Sequence, residues 1–140
     1  MGKIDKRSAE YIPSDKEPFM NERQKEYFRA KLQAWRKDIL RESKETLDTL
    51  AGESDKLPDM ADRASTETDR SIELRARDRQ RKLIAKIDAA LRRIDDGSYG
   101  YCEETGEPIS LKRLEARPIA TLSIEAQERH ERREKVYRDD

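Results

Sequence analysis

Cysteine is nearly missing from this chain: Cys102 is the only one in 140 residues. A lone thiol excludes an internal disulfide framework and leaves a four-thiolate metal site without its ligands. Aromatic residues make up 6% and hydrophobic residues 34%, too little to fill a thick core. No apolar run approaches the length of a membrane span, and the first residues lack the hydrophobic stretch of a secretory signal. A cytoplasmic protein with no membrane partner is therefore expected. An excess of one charge is also absent, since 31 Lys and Arg balance 31 Asp and Glu. That balance argues against disorder driven by net charge and against nucleic-acid binding by the whole surface, though not against a local basic stripe.

What the chain does have is charge of both signs, 44% of all residues, set among helix-forming residues. Such a composition favours long thin helices that bury a narrow seam. The expected fold is mostly α: a long antiparallel helical hairpin, a small degenerate zinc-finger-like module and a C-terminal helix.

Residues 1–20 hold Gly2, Pro13 and Pro18 among charges and read as a flexible arm, with Tyr11, Ile12 or Phe19 available to dock on the body. Asn21 can cap a helix, and Gln24 three positions on fits a capping box. Phe28, Leu32, Trp35 and Ile39, then Thr46 or Leu47, and Leu50 continue an apolar stripe, ended by Gly52 and Pro58. A return helix begins near Asp59 to Asp62 and runs to about Asp96, with Ile72, Ala76, Arg79, Leu83, Ile87, Ala90 and Ile94 on its stripe. The hairpin thus spans 21–96 with its tip at 56–65, and each arm of about 34 residues measures roughly 50 Å. Gly97 suits a left-handed cap after the second helix. Residues 97–122, with Gly100, Gly106, Pro108 and Pro118, form the small module. The last helix occupies 123–140, where Glu125, Glu128, Glu131 and Glu134 each precede a base by four positions.

The tip carries Asp59 and Asp62 after Pro58. As helix caps, Asp59 opens the second helix and Asp62 reaches back to close a capping box. As presented groups, the same carboxylates meet a metal, a basic residue or a catalytic loop of a partner. The two roles are compatible, because a cap leaves one carboxylate oxygen free. The second helix is rich in Arg and Lys, which reads either as a solvated coiled-coil face or as a phosphate-binding one. Arg79 stands out, as a charge on the apolar stripe is costly unless paired, snorkelled or offered to a partner. Cys102 sits in a glycine-framed turn like a zinc knuckle, but Thr105 occupies the second ligand position. Ser123 and Ala126 repeat the spacing without a second pair of thiols, and the only histidine is His130. Zinc is not expected, and Cys102 reads as a small packed side chain.

Several segments together resemble the DksA/TraR family of bacterial transcription regulators. They are Asp59-Met60-Ala61-Asp62-Arg63-Ala64, Glu73-Leu74-Arg75-Ala76-Arg77-Asp78-Arg79, Arg81-Lys82-Leu83-Ile84, Gly100-Tyr101-Cys102-Glu103 and Lys112-Arg113-Leu114-Glu115-Ala116-Arg117-Pro118. The likeness covers roughly residues 18–138. It implies a factor that is not an enzyme and makes no sequence-specific DNA contact. Such a factor binds RNA polymerase, enters its secondary channel with the coiled coil and destabilises promoter open complexes. By that action it represses ribosomal RNA promoters and helps activate others, together with (p)ppGpp. By position, Asp59, Asp62 and Ala64 become the working tip, and Arg79 a polymerase contact. Leu83, Lys86 and Arg117 become parts of a (p)ppGpp site shared with polymerase, where Gln127 replaces a usual lysine. Cys102, Thr105, Ser123 and Ala126 stand where other members carry four cysteines, which resembles the zinc-free variants. No cofactor other than (p)ppGpp as co-regulator is implied, and a monomer is expected. Two other readings stay open: a Gre-type transcript-cleavage accessory factor, or a structural or RNA-binding coiled coil.

Overall fold

The computed structural model describes the backbone of residues 11–54 and 60–139, and their side chains except at 50, 53–54, 60–66 and 137–139. The chain is mostly α, with four helices among the described residues, in the order α1 (Glu22–Ser54), α2 (Met60–Asp96), α3 (Leu111–Ala116) and α4 (Ile124–Asp139). Among the described residues there is no strand, only an isolated antiparallel bridge between Tyr101 and Pro108. None of the described helices is long and apolar enough to cross a membrane.

Asn21 starts α1 as its sequence position suggests: its Oδ1 accepts from the Gln24 N–H at 2.9 Å. The return arm of the capping box is displaced by one residue. Gln24 Oε1 accepts from the Met20 N–H at 2.7 Å, and its amide donates to the Ser14 carbonyl at 3.3 Å. Gln24 is wholly buried, so these bonds meet the need that burial of an amide creates. Of the flexible arm expected at 1–20, residues 14–20 are tied down by them, and residues 1–10 lie outside the described residues. Phe19 adds an edge-to-face contact with Tyr101 at 5.4 Å, whereas Ile12 stays 71% exposed.

The chain divides into two compact units. One comprises Met1–Leu32 with Ala90–Asp140, the other Gln33–Ala89. In the second unit, Arg36 Nε donates to Asp88 at 2.8 Å and the Ser43 hydroxyl to Gln80 at 2.7 Å. Moving forward along α1 thus matches moving back along α2, which fixes an antiparallel pair. Ile39 and Ile87 are buried in this unit.

The seam of α2 differs from the expected stripe at two places. Arg79 is exposed, and half-buried Gln80 lies inward against Ser43. Ile72 is 57% exposed, and half-buried Glu73 takes the seam position. A coiled-coil seam alternates steps of four and three. From Ile94, Ala90, Ile87 and Leu83 that alternation leads to Gln80, Ala76 and Glu73. Reaching Arg79 and Ile72 requires two successive steps of four. Backbone geometry outweighs side-chain polarity here, and a neutral amide with a hydroxyl partner makes Gln80 tolerable inside.

In the first unit, Phe28, Leu32, Ala90, Ile94, Tyr99, Ile109, Leu114 and Ala126 form the core. Gly97, at φ 86°, ends α2, and the N–H groups of Ser98 and Tyr99 both return to the Arg93 carbonyl at 3.0 and 3.1 Å. The module that follows contains α3, which the turn-rich sequence did not announce. Ser110 caps it, accepting from the Arg113 N–H at 3.2 Å. Tyr99 braces the module by donating to the Pro118 carbonyl at 2.8 Å.

Ser123 caps α4 through the Ala126 N–H at 3.2 Å. The expected ladder of Glu-to-base pairs is not formed among the described residues of α4. Arg129 instead approaches Glu104 at 3.8 Å, and His130 approaches Glu134 at 3.2 Å. Exposed pairs of this kind gain so little that a competing partner redirects them.

Candidate functional site

Of the tip residues, Asp59 lies outside the described residues, as do 55–58. Asp62 and Ala64 lie on the opening turns of α2, where acidic residues suit the helix dipole.

Further along α2, Arg79, Leu83 and Lys86 follow at steps of four and three and so share a face. Arg79 and Lys86 are exposed, Leu83 half-buried, and neither cation has an ion pair among the described residues. Their neighbours are engaged: Arg81 and Lys82 both hold Asp78, at 2.6 and 3.1 Å. Those two partners hold the Asp78 carboxyl below its ordinary value. The free pair Arg79 and Lys86 is therefore the part of this face able to take a carboxylate or phosphate from outside.

Arg117 and Gln127 belong to the other unit. Arg117 is exposed and ends α3, its N–H donating to Arg113 at 2.7 Å and its carbonyl accepting from Ala120 at 2.9 Å. The Arg113 side chain donates to the Leu122 carbonyl at 2.8 Å, fixing the stretch around Arg117 from the inside. Gln127 is half-buried and donates to Glu131 at 3.1 Å.

One residue beside Arg117 escaped the sequence reading. Glu115 accepts from Lys31 Nζ at 2.6 Å and from the Tyr27 hydroxyl, pinning α3 to α1. Burial pushes the Glu115 carboxyl up, but the bonds from Lys31 and Tyr27 outweigh it and hold the carboxyl below its ordinary value. Nothing local in the sequence signals a contact between residues so far apart.

Three of the four zinc-knuckle positions come together, since Thr105 and Ser123 both hydrogen-bond to Cys102, and the fourth, Ala126, is buried. The Cys102 N–H donates to Glu107 at 2.8 Å and its carbonyl accepts from Gly106 at 2.8 Å, while Glu103 joins Thr121 at 2.9 Å. Cys102 is buried. Burial pushes its thiol up, but hydrogen bonds from the Thr105 hydroxyl and from the N–H groups of Ser123, Thr105 and Glu104 bring it down to about 6. The donor set does not fit a four-coordinate zinc ion. Thr105 Oγ1 accepts from the Glu107 N–H, Ser123 Oγ is used as the α4 cap, and fully buried Ala126 has no donor to offer. Among the described residues no group of three or more His, Cys, Asp or Glu could hold a metal.

A long two-helix pair followed by a small capped module is an architecture that known proteins share. Residues 24–94 match the model of the DnaK suppressor protein DksA, N-terminal domain, and residues 97–132 match the prokaryotic dksA/traR C4-type zinc finger. The chain belongs to the DksA family. It is 70% identical over 132 residues to the RNA polymerase-binding transcription factor DksA of Caulobacter vibrioides, covering 94% of this chain and 93% of that one. To the protein of the same description in Escherichia coli it is 45% identical over 119 residues, covering 85% and 79%. The solved structure of transcription factor DksA2 from Pseudomonas aeruginosa matches 93% of this chain and 97% of its own, with a TM-score of 0.79 and 42% identity. The chain departs from the description of its second match, because a C4-type finger needs four thiols and one is present.

Proposed function

We propose that this protein is a cytoplasmic transcription regulator that binds RNA polymerase and is not itself an enzyme. The observation that carries this reading is the 70% identity, over nearly the whole chain, to a relative described as an RNA polymerase-binding transcription factor. The helical pair then acts as a probe through the secondary channel, with Asp59, Asp62 and Ala64 at its working end. Arg79 contacts polymerase, consistent with a guanidinium that is exposed and has no ion pair among the described residues. The factor destabilises open complexes at ribosomal RNA promoters and favours others. Leu83, Lys86 and Arg117 contribute to a (p)ppGpp site completed by polymerase, in which Gln127 stands where the family usually has lysine. Zinc takes no part, and hydrogen bonds around Cys102 hold the module. The protein acts as a monomer without reading DNA sequence.

The test is transcription in vitro from a ribosomal promoter with purified polymerase, with and without (p)ppGpp. The expected result is repression that is lost in Asp62→Asn while polymerase binding persists. Loss of binding and helicity together would reduce Asp62 to a cap. Cleavage of backtracked RNA abolished by Asp59→Asn, with promoter effects intact, would make the protein a Gre-type factor instead.

A further inference from the structure

A cleft of about 420 Å³ lies in the first unit, lined by Tyr11, Arg23, Glu26, Tyr27, Ala30 and Lys31. Five of these fall on one stripe of α1, and Tyr11 comes from the segment before it. The volume is that of a small-molecule site. Two rings form its corner: Tyr11 and Tyr27 lie 5.9 Å apart at 80°. The Tyr11 hydroxyl donates to Glu17 at 2.7 Å and that of Tyr27 to Glu115, so what the rings leave to a ligand is aromatic surface.

Charge accounting narrows the ligand. Lys31 is paired with Glu115 and Glu26 with Arg29. The Arg23 guanidinium carbon lies over the Tyr11 ring, 4.0 Å from its centroid, and Arg23 has no ion pair among the described residues. Glu17 is close enough for its charge to be felt at Arg23, yet its oxygens already accept from Tyr11, the Ser14 N–H and the Asn21 amide. The ring contact leaves the Arg23 N–H groups without an acceptor side chain paired to them among the described residues, and a guanidinium suits a carboxylate. One free cation beside an aromatic corner suits one negative charge, and the Glu26 carboxylate at the rim opposes a second.

We infer that the cleft of Tyr11, Arg23, Tyr27 and Ala30 is a binding site for a small planar aromatic monoanion, its ring on the tyrosine corner and its carboxylate on Arg23. The site shares no residue with the tip or with the Arg79 and Lys86 face, and does not depend on polymerase.

The experiment titrates the full-length protein with 2-naphthoate and follows backbone amides and the Arg23 Nε–H by NMR. Saturable shifts centred on Tyr11, Arg23, Tyr27 and Ala30 are expected. Binding should fall about tenfold in Arg23→Gln and for the neutral analogue 2-naphthalenemethanol, the loss expected for one charge-assisted bond. Ala30→Leu, which fills the floor at an exposed helical position, should also weaken binding, whereas Arg92→Gln should not. Shifts that never saturate, equal affinity in Arg23→Gln, or tighter binding of the dianion 2,6-naphthalenedicarboxylate would overturn the inference.

Discussion

Lys31 Nζ lies 2.6 Å from Glu115 Oε1, although 84 positions separate the two residues in the chain. This contact, with Tyr27 on the same carboxylate, joins the first helix to the segment that carries Arg117. Because 39% of the Glu115 side chain remains exposed, the ion pair contributes no more than about 0.5–1 kcal/mol after solvent screening. Lys31→Met should lower stability in urea by that amount without changing helicity.

The same cluster sets a pH window. Glu115 is held below its ordinary 4.5, so its contribution is full above that value and fades as pH falls through the lower folded value. Burial, reinforced by Glu115, raises Tyr27 from 10.0 to about 12, so its contribution is full below 10.0 and is lost as pH rises through about 12. The stability difference between the wild type and Tyr27→Phe should therefore be largest near neutrality. It should shrink toward both extremes, as urea midpoints at about pH 3, 7 and 12 would show.

Two glycines with left-handed backbones should respond differently to alanine. Gly106, at φ 76°, has open space where a Cβ would go, so Gly106→Ala should cost only the conformational strain, about 1–2 kcal/mol. Gly100, at φ 90°, would place a Cβ 3.1 Å from Phe19 Cζ and 3.2 Å from Met20 Cε. Gly100→Ala should cost about 1–3 kcal/mol more from overpacking, read as a lower thermal midpoint.

The metal-free reading of the module has a constructive test. The natural chain should hold no stoichiometric zinc, and a chelator should leave its melting unchanged. Combining Thr105→Cys, Ser123→Cys and Ala126→Cys should create a site that takes one zinc ion and makes melting chelator-sensitive. The Cys102 thiol, brought from 9.0 to about 6, stabilises the fold above its unfolded value and loses that effect as pH falls through about 6. Thiolate absorbance should follow the same transition and disappear in Cys102→Ser.

Much of this architecture was legible in the sequence because helix periodicity and capping are local. Asn21, Gly97 and the residues of both long helices announce themselves within a turn or two. Arg79 and Ile72 were misplaced because a stripe admits steps of three or four, and polarity alone did not select Gln80 and Glu73 for the seam. Helix α3, six residues long, is too short to show a period, and it exists by virtue of Ser110 and the packing of Leu111 and Leu114. The Arg23 cleft and the Glu115 contact were invisible, since each joins residues that only folding brings together. The tip motif was read from the sequence alone, and its Asp59 lies outside the described residues.

Among the described residues of Gln33–Ala89, Ile39 and Ile87 are the only buried ones. A seam so sparsely filled opens at little cost in free energy, whereas the other unit keeps its amides behind Phe28, Leu32, Tyr99 and Leu114. Amide exchange should therefore be graded along each helix, with Leu32 and Ile94 protected for far longer than Thr46 or Ala76. Each long helix would then be stiff over the residues it gives to the first unit and compliant over those it gives to the second.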